Sequence, residues 1–230
     1  MLATKGMRFP IDIILVCIRW YAAYPLSCRH LEEMMMERGV FVDHSSINRW
    51  AIRFLPLLEK VFRKHKLPVG GSWRMDETYI KVIGAWEYLY RAVDKAGKTV
   101  DFLLTARRDK AAALRFFEKA IKASGIPEKV TMDKSGANKA AIDQINGRGQ
   151  TPIIVRQAKY LNNIVEQDHR FVKRITKPML NFKSFRAAKN VLAGIELMHM
   201  IRKGQLLLKS CIKLSFADRF YALAEQIRLV

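Results

Sequence analysis

Long apolar runs are missing from this chain. No stretch of roughly 18 uncharged apolar residues occurs, so a membrane-spanning helix is not expected. The opening, MLATKGMRFPIDIILVCIRWYAAY, starts like a signal peptide. Asp12 and Arg19 interrupt its apolar run, however, and no small-residue cleavage site follows, so it reads as a buried amphipathic helix. Cysteine is scarce too. The three thiols, Cys17, Cys28 and Cys211, are far apart, odd in number and form no C-x-x-C pair. The five histidines show no zinc-ligand spacing either. These absences argue against a disulfide framework and a structural zinc, and fit reduced thiols in a cytoplasmic protein. Glycine-rich phosphate loops, internal repeats and low-complexity segments are absent as well.

Acidic residues are outnumbered. Against 41 Lys and Arg stand 21 Asp and Glu, a net charge of +20. A folded chain this basic is built to meet a polyanion, most often nucleic acid. The excess is uneven: Arg156 to Lys213 carries 13 basic and 3 acidic residues. A membrane surface is the blander partner, but it favours a polybasic run or a basic amphipathic helix. Here the charges alternate with core-type residues. Half of the chain is hydrophobic, enough for one good core plus a satellite within 230 residues.

The first third has helical spacing. Ile11–Tyr24 is stopped by Pro25, and Ser27 can cap a helix over Cys28–Arg38, with Gly39 at its end. One methionine of the Met34–Met36 run is expected to stay exposed and the rest to pack. Asp43 or Ser45 can cap a third helix, with Ile47, Trp50, Ala51, Phe54 and Leu55 on one face. Two helices joined by a glycine-containing turn suit a helix-turn-helix. On its second helix Arg49 and Arg53 are placed to contact DNA, and Asn48 to read an adenine.

HKLPVGG, residues 65–71, is the best linker, and beyond it the period changes to two. SWRMDETYIKV, WEYLYRAVD and KTVDFLLTAR form a three-strand meander, with turns at Ile83–Ala85 and Asp94–Gly97. A helix over Asp109–Ser124, the strand KVTMD, a helix near Ala137–Ile145 and the strand PIIVRQ follow. Helices return after Asn162, with a long pattern over Phe185–Leu208. That order predicts an α/β fold: an RNase H-like domain with a five-stranded mixed sheet flanked by helices, preceded by a small all-α helix-turn-helix domain. The expected boundaries are 1–65 for the helix-turn-helix, 66–71 for the linker, 72–210 for the catalytic domain and 211–230 for a tail.

In such a domain Asp76 lies on the first strand and Asp133 closes the fourth. Glu166 follows on the helix after strand five, within KYLNNIVEQDHRFVKR. Three carboxylates from distant points can then converge on divalent cations, which prefer hard oxygen ligands. On that helix Glu166, Arg170, Lys173 and Arg174 share one face at i, i+4, i+7 and i+8. An exposed Glu–Arg pair worth a few tenths of a kcal/mol is the bland account. Basic residues holding DNA phosphates beside a metal-binding carboxylate is the sharper one. Glu77 points to the opposite strand face and reads as structural. Asp94 reads as a turn residue, Asp101 as a surface strand residue, and Asp168 as lying on another helix face. His169 is a minor candidate for DNA contact, with a plain surface histidine as the alternative.

WRMDETYIKVIGAWEYLYRAVDKAGKTVDF, TMDKSGANKAAI and KYLNNIVEQDHRFVKR closely resemble bacterial DDE transposases of insertion-sequence family six. The resemblance extends to KGMRFPIDIILVCIRWY and GIELMHMIRKGQ and so covers nearly the whole chain. It implies that Asp76, Asp133 and Glu166 form a catalytic and metal-binding triad for two magnesium or manganese ions. Lys173 falls on the family's downstream basic position, and Asn162, Asn163 and His169 lie in the same block. The stretch between Asp133 and Glu166 is slightly shorter than the family's, a change assigned to the 141–152 loop. Double-stranded DNA, as element ends and target, is the implied partner of at least a homodimer, with no membrane involved. The implied activity is nicking to give 3′-hydroxyls and joining them to target DNA. A catalytically dead helix-turn-helix regulator and a metal-dependent nuclease without strand transfer are the alternatives.

Overall fold

The computed structural model describes residues 8–149, 152–158, 163–207 and 214–228. Asn162 and Cys211 lie outside the described residues. The chain divides into two compact units, residues 68–171 and residues 1–67 together with 172–230.

The sheet unit opens with β1 (Ser72–Val82), β2 (Ala85–Asp94) and β3 (Thr99–Thr105) as an antiparallel meander. β1 and β2 are joined by the two-residue turn Ile83–Gly84, both at positive φ (48° and 80°), the conformation that matches hairpin twist. α4 (Lys110–Ser124) follows, its Asp109 cap accepting from the Ala112 N–H at 2.7 Å. β4 (Lys129–Met132) then pairs parallel to β1, and β5 (Ile154–Gln157) parallel to β4, with α5 (Gly136–Asn146) between them. The order β3-β2-β1-β4-β5 is the RNase H-like arrangement expected from the sequence. Alternation along the strands sends Trp73, Met75, Tyr90, Val130 and Met132 to one face, into a core with Phe116, Phe117 and Ile142 of α4 and α5. α6 (Asn163–Thr176) follows β5.

The helical unit contains α1 (Ile11–Ala23), α2 (Cys28–Met36), α3 (His44–Phe62), α7 (Phe185–Arg202) and α8 (Phe216–Arg228). Ser27 caps α2 as expected, and His30 completes a reciprocal box: its Nδ1 accepts from the Ser27 N–H. Asp43, rather than Ser45, caps α3, accepting from the Ser45 N–H at 2.8 Å. α3 runs through Pro56, whose missing N–H leaves the Ile52 carbonyl without its helical donor. Asn190 of α7 supplies that donor across the interface at 2.9 Å. Met35 is buried and Met36 exposed. Burial raises the Cys17 thiol to about 12 and the Cys28 thiol to about 11, so both are protonated at neutral pH. Among the described residues no helix is long and apolar enough to cross a membrane.

Residues 172–207, within the span expected for the catalytic domain, group by contact with the helical unit, because α7 packs on α1 and α3. Val191, Ile195, Met198 and Leu206 of this segment are buried in the chain's own core. The 66–71 linker is likewise divided. Leu67 N–H donates to Gln205, whereas Gly70 N–H donates to Asp94 and the Gly71 carbonyl accepts from Glu128. The segment expected as a tail contains α8, whose Phe220 and Leu223 are buried.

α7 meets α3 at Gly194, where an added Cβ would lie 2.6 Å from the Leu55 methyls. Gly194→Ala is therefore expected to destabilise the protein by about 1–3 kcal/mol through overpacking, read as a lower urea midpoint at unchanged slope.

Candidate active site

The last parallel pair joining β1 to β4 is Arg74↔Thr131. Two residues further along each strand come Asp76 and Asp133, which the register sets side by side. Asp76, Glu77 and Asp133 bring carboxylate oxygens within 4.8 Å of one another. Glu77 sits on the α4/α5 face, opposite to Asp76 as expected. Its carboxylate reaches the cluster from behind the strand and is almost fully covered.

Two groups hold Glu77 there. Asn138 Nδ2 donates to Oε1 at 2.9 Å, and Arg108 donates from Nε at 3.3 Å and from Nη2 at 3.4 Å. Arg108 Nη2 also donates to Asp133 Oδ2 at 3.2 Å, tying the two acids through one guanidinium. Burial raises the Glu77 carboxyl above its ordinary range despite the pull of Asn138 and Arg108, and Asp133 and Asp76 add to the rise. Burial opposes the charge on Arg108, but Glu77 and Asp133 together hold it above its ordinary value. Asp133 Oδ1 accepts from the Ser135 N–H at 3.0 Å, which orients it at the entry to α5.

The opposite face of the sheet receives α6. Arg91, paired with Asp76 across β1 and β2, is wholly buried. Its Nε donates to Asp168 Oδ2 at 3.1 Å and its Nη2 to Thr99 Oγ1 at 3.1 Å. Asp168, on another helix face from Glu166 as expected, thus anchors α6. His169 is also buried, contrary to the surface reading. Its Nε2 lies 3.5 Å from Asp76 Oδ2, and neither ring nitrogen has a hydrogen-bond partner among the described residues. Glu166, half-buried, precedes His169 by three positions on α6, so the two share a side of the helix. The Glu166 carboxylate does not join the 4.8 Å cluster.

Arg49 and Arg53 are exposed on α3 and Asn48 is half-buried; Arg49 Nη2 donates to Ser46 Oγ at 2.9 Å. Arg170, Lys173 and Arg174 are exposed on α6. Sequence reading missed Arg108 and Asn138, and it placed Asp101 on the surface. Asp101 is instead fully buried and receives Lys119 Nζ at 2.7 Å. Alternation was the available signal: Asp101 pairs with core residue Ala92, whereas Arg108 follows a strand end where no periodicity points.

Hard oxygen donors grouped this closely are the donor set that magnesium or manganese takes. A family model described as a DDE domain matches residues 70–205. A transposase of the insertion sequence-like element IS431mec from Staphylococcus aureus is 40% identical over 198 residues, covering 85% of this chain and 87% of the relative. The chain belongs to the insertion-sequence family six DDE transposases. A further relative, the transposase of IS257 in transposon Tn4003 of Staphylococcus aureus, is 39% identical over the same length. Among solved structures, the HTLV-2 integrase catalytic core domain in complex with magnesium, in its trimeric form, aligns at a TM-score of 0.40 and 16% identity, covering 69% of this chain and 85% of that one. The catalytic core domain of BIV integrase aligns at 0.43 and 13%, covering 70% and 99%. The membership of this transposase rests on its sequence relatives, not on these structural likenesses.

Proposed function

We propose that this transposase binds double-stranded DNA at element ends, nicks it to give 3′-hydroxyls and joins those ends to target DNA. Asp76, Asp133 and Glu166 are the carboxylates assigned to two magnesium or manganese ions. The observation that carries the reading is the adjacency of Asp76, within β1, and Asp133, just past the end of the parallel β4, in a +20 chain. Their side chains are 23% and 34% exposed, accessible to cations, whereas that of Glu77 is 3% exposed and already held by Arg108 and Asn138. When bound, divalent ions supply Lewis acidity to the phosphodiester and lower the pKa of a bound water or hydroxyl. The protein's own groups fix where that chemistry occurs. Ser135 N–H and Arg108 orient Asp133. The Arg91–Asp168 pair docks the helix that carries Glu166. Arg170, Lys173 and Arg174 offer phosphate contacts along that same helix.

In the helical unit, α3 is the helix assigned to the major groove, with Arg49 and Arg53 on its exposed side and Asn48 as an adenine reader. Arg49→Ala is expected to weaken end binding by about 1–3 kcal/mol if it reads a base. A gel-shift titration with unchanged affinity and unchanged specificity removes that role. Joining two ends in one reaction calls for at least two DNA-binding units, so a homodimer or larger assembly is proposed. Light scattering on protein with paired ends tests it.

The deciding experiment is strand transfer with a short duplex carrying the element end and a supercoiled target. Magnesium should support nicking and joining, and a chelator should abolish both. Nicking without joining would favour the nuclease reading, and end binding without either would favour a regulator.

A further inference from the structure

The β1–β2 hairpin runs on past the carboxylates and carries a row of aromatic rings that its own core does not cover. The register pairs Tyr79 with Tyr88 and Lys81 with Trp86, so alternation places all four side chains on one face. Tyr88 packs at its inner end against the α4/α5 core. Tyr79 lies on Tyr88 with centroids 5.3 Å apart, and Trp86 meets Tyr79 edge-on at 6.3 Å. Lys81 Nζ sits 5.7 Å from the Trp86 centroid and closes the row. Tyr79 is 47% exposed and Trp86 59%.

Rings this open are costly to leave in water, and their charge surroundings indicate what covers them. Lys81 stands at one end of the row. At the other, Arg108 donates from Nε at 3.3 Å to Glu77, the preceding side chain on this face of β1. Glu87, the hairpin's acidic residue beyond Glu77, pairs with Ile80 and so faces the other way. A face of rings bordered by cations suits nucleic acid, because bases stack on aromatic side chains while the backbone runs beside positive charge. Paired bases inside a duplex have both faces occupied by neighbours, so the bases concerned must be unpaired. The position fits as well. Tyr79 follows Glu77 by two residues on the same face, about 7 Å along the strand, so a base near a phosphate at the carboxylates can reach it.

We propose that Tyr88, Tyr79 and Trp86 form a stacking platform for unpaired DNA bases beside the cleavage site, so that this transposase engages a locally opened end. The proposal rests on the reading that DNA is the substrate at Asp76 and Asp133.

Its test is a competition gel shift with the full-length protein and two end duplexes, one fully paired and one with the terminal few bases of one strand unpaired. The wild type should prefer the splayed end. Trp86→Ala and Tyr79→Ala should each lose roughly 5- to 100-fold affinity for it and little for the paired end. Trp86→Phe and Tyr79→Phe, which keep a ring, should retain the preference, and both positions are exposed enough to spare the fold. The platform is overturned if the wild type binds both ends equally or if the alanine variants keep its preference. A changed oligomeric state with the preference intact also overturns it and assigns the face to a second copy of the chain. Failure of the wild type to bind either duplex instead overturns the DNA reading itself, and the platform falls with it.

Discussion

Glu166→Gln, Asp76→Asn and Asp133→Asn are each expected to lower magnesium-dependent nicking of an end duplex by about 10³-fold or more, with end binding nearly unchanged. Each replacement removes a charge and a hard oxygen ligand while keeping side-chain volume, so the fold has little to lose. Metal-binding carboxylates act as a unit, so Asp76→Asn combined with Asp133→Asn should be no worse than either alone. Glu77→Gln provides the contrast. Its carboxylate is buried and engaged by Asn138 and Arg108, so the substitution should weaken activity by disturbing Arg108 rather than abolish it. If Glu77→Gln abolished nicking and Glu166→Gln did not, the third carboxylate would be Glu77. If all four variants cut at the wild-type rate, the catalytic assignment would fail. Loss of end binding in Glu166→Gln would make Glu166 a structural residue of α6.

Asp168→Leu is expected to destabilise the protein by about 3–5 kcal/mol, the cost of breaking a buried ion pair by removing one partner. Arg91 is completely buried and Asp168 nearly so. Against a total stability of roughly 5–15 kcal/mol, that loss is enough to unfold many domains at physiological temperature. Removing both charges, with Arg91→Met and Asp168→Leu, should recover much of the loss, since desolvation of both ions is then avoided. A double-mutant cycle in urea measures the coupling, and additive single effects would show that the pair does not anchor α6. Because Glu166 lies two residues before Asp168, the recovered double variant also asks whether docking of the helix can be apolar and still support nicking.

Local pattern carried most of the architecture. The meander was written in its change to period two, the caps in Ser27 and in Asp43 or Ser45, and the adjacency of Asp76 and Asp133 in the order of strands and helices. What could not be read were relations between segments distant in sequence. Arg91 and Asp168 are 77 residues apart, and nothing near either announces an ion pair. His169 follows Asp168 in a basic stretch, so composition alone argued for the surface, yet the docking of α6 buries it. The packing of α7 on α1 and α3 was not legible for a different reason. Its residues from Val191 to Ile201 are buried all round, which signals a central helix but does not say which neighbours enclose it.

That central helix ties the molecule to the schedule of its own synthesis. The sheet unit, residues 68–171, is continuous in sequence and can be complete while the rest is still being made. α1 and α3 leave the ribosome first, yet their buried faces, Leu55 at Gly194 and the Ile52 carbonyl at Asn190, wait for α7. Domains ordinarily form in the order in which they are translated. Here the unit holding the earliest residues closes last. A chain cut short before α7 therefore keeps its carboxylates on a finished sheet but lacks a finished helical unit. The DNA recognition proposed for α3 would become available only to a polypeptide translated at least through α7.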